Sequence, residues 1–87
     1  MADLYSIITE IQKITLRNYS GWTIGITDNP GRRWQEHNTP KEWHVWDAET
    51  EGVARSLEKV YIDWGMKGAI GGGEKRTYLY IFKEKQS

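Results

Sequence analysis

The sequence predicts a small α+β domain in which a three-stranded sheet is flanked by helices. Three observations carry that prediction. Helical and strand-like apolar periods alternate along the chain in the order α-β-α-β-α-β. The 87 residues are the length of a single domain, 1–87, with no second composition regime inside it. A chain this short buries only about 60–65% of its unfolded surface, so its core has to come from a few large side chains. Five Trp, five Tyr and one Phe supply them, although only 38% of residues are hydrophobic.

In residues 3–14 (DLYSIITEIQKI), Leu4, Ile7, Ile8, Ile11 and Ile14 recur at helical spacing, with Asp3 as the N-cap. Asn18-Tyr19-Ser20-Gly21 is a turn cluster. Trp22-Thr23-Ile24-Gly25-Ile26 reads as a strand with Trp22, Ile24 and Ile26 on one face. Asp28 or Asn29 then caps a short helix over 30–38, whose first turn holds Pro30, where a missing N–H is harmless. Trp34 on that helix is expected in the core, and Asn38-Thr39-Pro40 ends it. Trp43-His44-Val45-Trp46 is a short strand with Trp43 and Val45 on one face and His44 and Trp46 on the other. Thr50 caps the clearest helix, which runs to about Trp64 with Val53, Leu57, Val60, Tyr61 and Trp64 as its apolar stripe. Gly65 to Gly73 holds five glycines in nine residues and reads as a loop. Tyr78-Leu79-Tyr80-Ile81-Phe82 is the strongest strand, apolar enough for burial on both faces and a central place in the sheet.

Composition excludes several classes of function. The absence of Cys removes disulfide scaffolds, thiolate zinc sites and a cysteine nucleophile, and two His are too few for a structural zinc centre. No apolar run approaches the ~18–20 residues of a membrane span, and no signal-peptide pattern opens the chain, so a cytoplasmic protein without membrane contact is expected. Twelve Lys plus Arg balance twelve Asp plus Glu, which argues against a polybasic binder. The charges are unevenly spread. Residues 41–64 carry three basic against six acidic groups, and 65–87 five basic against two acidic. An acidic middle beside a basic tail suits a phosphate-facing surface next to a metal-attracting carboxylate; its alternative is plain scatter of charge.

The stretch with chemical content is Thr23 to His37. A strand holding a glycine runs through a capped turn into a helix that offers Arg33 and His37 four residues apart, hence on one face. A guanidinium there can hold a phosphate bidentately, and a histidine one turn later can take or give a proton at the same group. Further along, Ala54-x-x-x-Glu58 puts a carboxylate on the border of the apolar stripe. One carboxylate with waters and a phosphate is a common way to hold Mg²⁺.

"TIGITDNPGRRWQEH" with "ARSLEKVYI" resembles the GIY-YIG nuclease superfamily, over roughly residues 21–64, half the chain. The first string matches the family's second motif strand and its Arg-rich helix ending in His; the second, a less specific match, corresponds to the metal-binding Glu. The resemblance implies a GIY-YIG-like fold and a metal-dependent DNA endonuclease that hydrolyses phosphodiesters with Mg²⁺ or Mn²⁺. It assigns the phosphate to Arg33, proton transfer to His37 (a position that holds Tyr in some members) and the metal to Glu58.

Two departures from the family pattern stand out. The tyrosine of the second motif falls on Thr23, which has no phenol, and residues 11–19 contain no first-motif strand. Either the chain is a degenerate copy, serving as a nucleic-acid- or protein-binding module without chemistry, or the C-terminal strand replaces the missing one, as in a circular permutation. In the second case that strand pairs antiparallel with Trp22–Ile26 and brings Tyr78 or Tyr80 toward Arg33 and Glu58; Tyr80 is then the third catalytic candidate. Arg32, Arg33, Lys75 and Arg76 are the residues expected to meet DNA; the alternatives are Arg32 as a surface residue, Arg33 as a solvated helix residue pairing with Asp28 or Glu36, His37 as a cation at the carbonyl end of its short helix, and Glu58 as an exposed carboxylate beside Arg55 or Lys59. Trp34, Trp43 and Trp64 read as core rather than as base-stacking surfaces, His44 as structural, and Gly71-Gly72-Gly73 as a connection that lacks the Gly-Lys-Ser/Thr ending of a P-loop.

Overall fold

Ile7, Ile11 and Thr15 recur every four residues and line the buried side of α1 (Leu4–Thr15). The computed structural model describes residues 4–69 and 76–83. After α1 come β1 (Trp22–Thr27), α2 (Pro30–Glu36), β2 (Trp43–Asp47), α3 (Glu51–Asp63), β3 (Lys67–Gly68) and β4 (Tyr78–Lys83). The Asp3 cap, the Gly71–Gly73 run and Lys75 lie outside the described residues.

The sheet has four strands rather than the expected three, in the order β2-β4-β1-β3. The extra strand arises inside the glycine-rich stretch, where two residues carry no readable period. It pairs parallel with β1, Thr23 opposite Lys67 and Ile24 opposite Gly68, and Ala69 N–H donates to the Ile24 carbonyl at 2.8 Å. A Cβ at residue 68 would lie 2.9 Å from Ile62 Cδ1, so α3 rests against this edge at a distance that favours glycine. β4 occupies the interior, antiparallel to both β1 and β2, with Leu79 to Phe82 buried as its apolar run predicts.

Alternation sorts the side chains onto two faces. Trp22, Ile24, Ile26, Trp46, Leu79 and Ile81 form one core with Ile7 and Ile11 of α1 and Ala54, Leu57 and Tyr61 of α3. Each fully buried Ile or Leu there contributes about 1.5–3 kcal/mol. Trp46 satisfies its indole N–H by donating to Glu10 Oε2 at 3.1 Å, and Thr50 caps α3 by accepting from Val53 N–H. The opposite face carries Thr23, Gly25, Thr27, Trp43, Tyr80 and Phe82, and α2 meets the sheet there.

Of the three tryptophans expected in the core, none belongs to the main one. Trp22 and Trp46 are the buried ones, whereas Trp34 is 38% and Trp64 56% exposed. α2 contributes no buried residue, so Trp34 has no core to enter; its indole N–H instead donates to the Pro40 carbonyl at 3.1 Å. Trp64 lies one residue beyond the last turn of α3 and packs on Tyr19 and Tyr61 at the rim. Val60 likewise points outward, and the buried stripe of α3 is Ala54, Leu57 and Tyr61. Trp43 is half-buried on the α2 side of the sheet, outside the main core.

Candidate active site

α2 is positioned from its two ends. Asn29 is the cap: its side chain accepts from Arg32 N–H at 3.1 Å, while its own N–H donates to the Thr27 hydroxyl at 3.0 Å. Thr27 is fully buried at the end of β1, so the helix start is fixed to the sheet. At the other end His37 is the C-cap, and the helix stops two residues earlier than its polar tail suggests. Asn38 follows in the left-handed region at φ 66°, where Asn is better tolerated than most residues. The Trp34 indole and the Thr39 N–H, bonded to the Trp34 carbonyl at 2.9 Å, hold the return loop in place.

This frame aims Arg33 and His37 at the sheet. The third member comes from β4, where Tyr80 sits opposite Gly25 of β1. The hydroxyl end of the phenol covers that glycine: a Cβ at residue 25 would come within 2.5 Å of Tyr80 Cζ. Glycine is required by the close approach of the ring. The Tyr80 hydroxyl is 3.2 Å from His37 Nε2 and 3.5 Å from Arg33 Nη2, and Arg33 Nη2 is 3.5 Å from His37 Nε2. Arg33 also donates through Nη1 to Glu36. Trp43 stacks on Tyr80 with ring centroids 4.7 Å apart, and Phe82 packs on His37 at 4.5 Å.

The donor inventory orders the protons. A guanidinium only donates, so His37 Nε2 presents its lone pair and the ring proton is on Nδ1. Tyr80 then accepts from Arg33 and donates its O–H to His37. The electrostatics agree. Burial, reinforced by the positive charge of Arg33, pushes His37 below its ordinary value and keeps the imidazole neutral, against a smaller pull from Glu36. Burial pushes the Tyr80 phenol up, with Arg33 acting the other way, so the hydroxyl keeps its proton. Burial alone would lower Arg33, but Tyr80 and Glu36 outweigh it and hold the cation above its usual range.

His37 gives a pH prediction. The unfolded chain titrates this imidazole near 6.5 and the folded protein below that value. Between the two the unfolded state binds more protons, so the stability is fully present above about 6.5 and falls on acidification through the window. Urea midpoints measured from about pH 7.5 to about pH 5.5 should drop more steeply in the wild type than in His37→Gln. Parallel slopes would contradict this.

Glu58 lies on the buried side of α3, one turn from Ala54 and Tyr61, and is half-buried. Burial raises its carboxyl, with Arg55 and Arg76 opposing, and its charge is felt at the Tyr80 hydroxyl. Arg76 is held at the start of β4, its N–H donating to Glu51 Oε1 at 3.1 Å. Arg32 is on the surface as read, paired with Asp28 at 3.2 Å and with Glu36 at 3.8 Å. His44, read as structural, stacks on Trp46 and lies tilted beside Trp22. Among the described residues no group of three or more His, Asp or Glu side chains is placed to hold a metal ion, and no helix is long and apolar enough to cross a membrane.

Two participants were not read from the sequence: Gly25 as the seat of the phenol and Trp43 as its stacking partner. Only strand register brings these two to Tyr80; of the two anions the sequence offered Arg33, Asp28 and Glu36, the structure pairs it with Glu36, its i,i+3 neighbour. No family model matches the chain, and no curated protein or solved structure matches it either.

Proposed function

We propose that this protein is a GIY-YIG-like, metal-dependent DNA endonuclease whose first-motif strand is carried at the C-terminal side of the sheet as β4. The observation that supports it best is the meeting of Tyr80, from β4, with Arg33 and His37, from the helix after β1, within 3.5 Å of one another. In this reading Arg33 binds the scissile phosphate through its fork of donors. His37 Nε2 takes the Tyr80 proton as Tyr80 takes one from a water; the hydroxide formed attacks phosphorus and the ester P–O bond breaks. Arg33 offsets the charge that develops on the phenol. A single half-buried carboxylate suits Mg²⁺, which keeps several waters and a phosphate oxygen as ligands, so Glu58 would hold the ion. Bound there, Mg²⁺ supplies neutralisation of charge on the phosphate and the leaving oxygen. Arg32, Lys75 and Arg76 supply further contacts to the DNA backbone.

Two observations favour a second reading. Tyr80 has no exposed surface and Arg33 is already engaged by Glu36, as suits a module that binds nucleic acid or a protein without chemistry. Incubation of supercoiled plasmid with Mg²⁺ or Mn²⁺ separates the two. Nicking that Arg33→Ala and Glu58→Ala both abolish is the expected result. Absence of nicking at every metal concentration, with DNA binding retained, would establish the binding module instead.

A further inference from the structure

Glu36 is the last residue of α2 and sits where the helix dipole disfavours a carboxylate. It is nevertheless held by two cations. Its Oε1 accepts a hydrogen bond from Arg33 Nη1, and its Oε2 lies 3.8 Å from Arg32 Nε. The two arginines differ in their surroundings: the Arg33 side chain is 12% exposed, the Arg32 side chain 47%. The largely covered guanidinium of Arg33 is therefore engaged by a carboxylate that is itself 47% exposed. Carboxylate and phosphate present the same pair of oxygens to a guanidinium fork, so Glu36 occupies the site in the manner of a phosphodiester.

We propose that the Glu36 carboxylate is an internal competitor for the phosphate subsite of Arg33, displaced onto Arg32 when a phosphodiester binds. The inference rests on the reading of Arg33 as the phosphate-binding residue. The same guanidinium reaches the buried Tyr80 hydroxyl, 3.5 Å from Arg33 Nη2, so a ligand gains this part of the site only by satisfying Arg33 as well as Glu36 does. Exposed ion pairs are weak and this one sits at an unfavourable helix end, so the exchange is cheap. Arg32 is the receiver because it already lies within reach of Glu36 and shares its charge with Asp28. Glu36 thereby sets a threshold, admitting a polyanionic strand and rejecting weaker anions.

The test is fluorescence anisotropy with a short labelled DNA duplex in EDTA, which reads binding without cleavage. Glu36→Gln, of equal size and without the charge, should tighten binding by about two- to fivefold, and Glu36→Ala should shift it in the same direction. The gain should vanish in the Arg33→Ala background, and Asp63→Asn, which removes an exposed carboxylate from α3, should show no comparable gain. Glu36→Gln without effect, while Arg33→Ala still weakens the wild type, would overturn the competitor and leave the phosphate site standing. A gain that survives Arg33→Ala, or that Asp63→Asn reproduces, would reduce it to net charge. Arg33→Ala without effect in either background would remove the phosphate site and the competitor together.

Discussion

Replacing Tyr80 by Phe is expected to slow DNA cleavage by about 10²–10⁴-fold while the domain stays folded. The ring does the packing: it is fully buried, stacks on Trp43 and covers Gly25. All of that survives in Phe. What is lost is one oxygen, the acceptor of Arg33 Nη2 and the donor to His37 Nε2. Stability should fall by about 1 kcal/mol, the usual net worth of a hydrogen bond, which a urea midpoint would register. The cleavage rate should fall far more, because in the proposed mechanism the hydroxyl links the imidazole to the reacting water. A variant that cleaves at the wild-type rate would show that β4 does not replace the missing motif strand.

Gly25→Ala is expected to cost about 1–3 kcal/mol of stability and to disable the site as well. β-Strands ordinarily gain from losing a glycine, so the sign itself is informative. The added Cβ would come within 2.5 Å of Tyr80 Cζ, and the ring is hemmed in on its other side by Trp43 and by the antiparallel pairing of β4. The strain has one source and can be relieved: in a Tyr80→Ala background the same Gly25→Ala change should become neutral or stabilising. The double-mutant cycle should give a coupling of about 1 kcal/mol or more. An unchanged cost in that background would mean that the glycine is needed for something other than the phenol.

Much of this was legible in the chain because local physics decided it. Pro30 with the Asn29 cap, the Thr50 cap, and the three- and four-residue spacing of Ile7 and Ile11 are signals that no tertiary context overrode. The apolar run of β4 announced an interior strand, and Arg33 and His37 were bound to share a face. What was illegible depended on register and on which side of the sheet each helix takes. Trp34 carried the right residue type for a core but belongs to a seven-residue helix that buries nothing. Trp64 continued the period of α3 past the point where there was sheet to cover. The two-residue β3 is specified by a backbone bond from Ala69 and by the closeness of Ile62 to Gly68, neither of which leaves a pattern in the letters. Gly25 and Tyr80 lie 55 positions apart by residue number, and only the β1–β4 register makes them partners.

The measurement that bears most directly on the account is single-turnover cleavage of a labelled duplex with Mg²⁺ by the wild type, Arg33→Ala, Tyr80→Phe and the double variant. If the three side chains work as one constellation, the double variant will lose no more than the worse of the two single ones. Losses that multiply would mean that guanidinium and phenol act apart, and cleavage indifferent to both would mean that the chemistry lies elsewhere in the molecule.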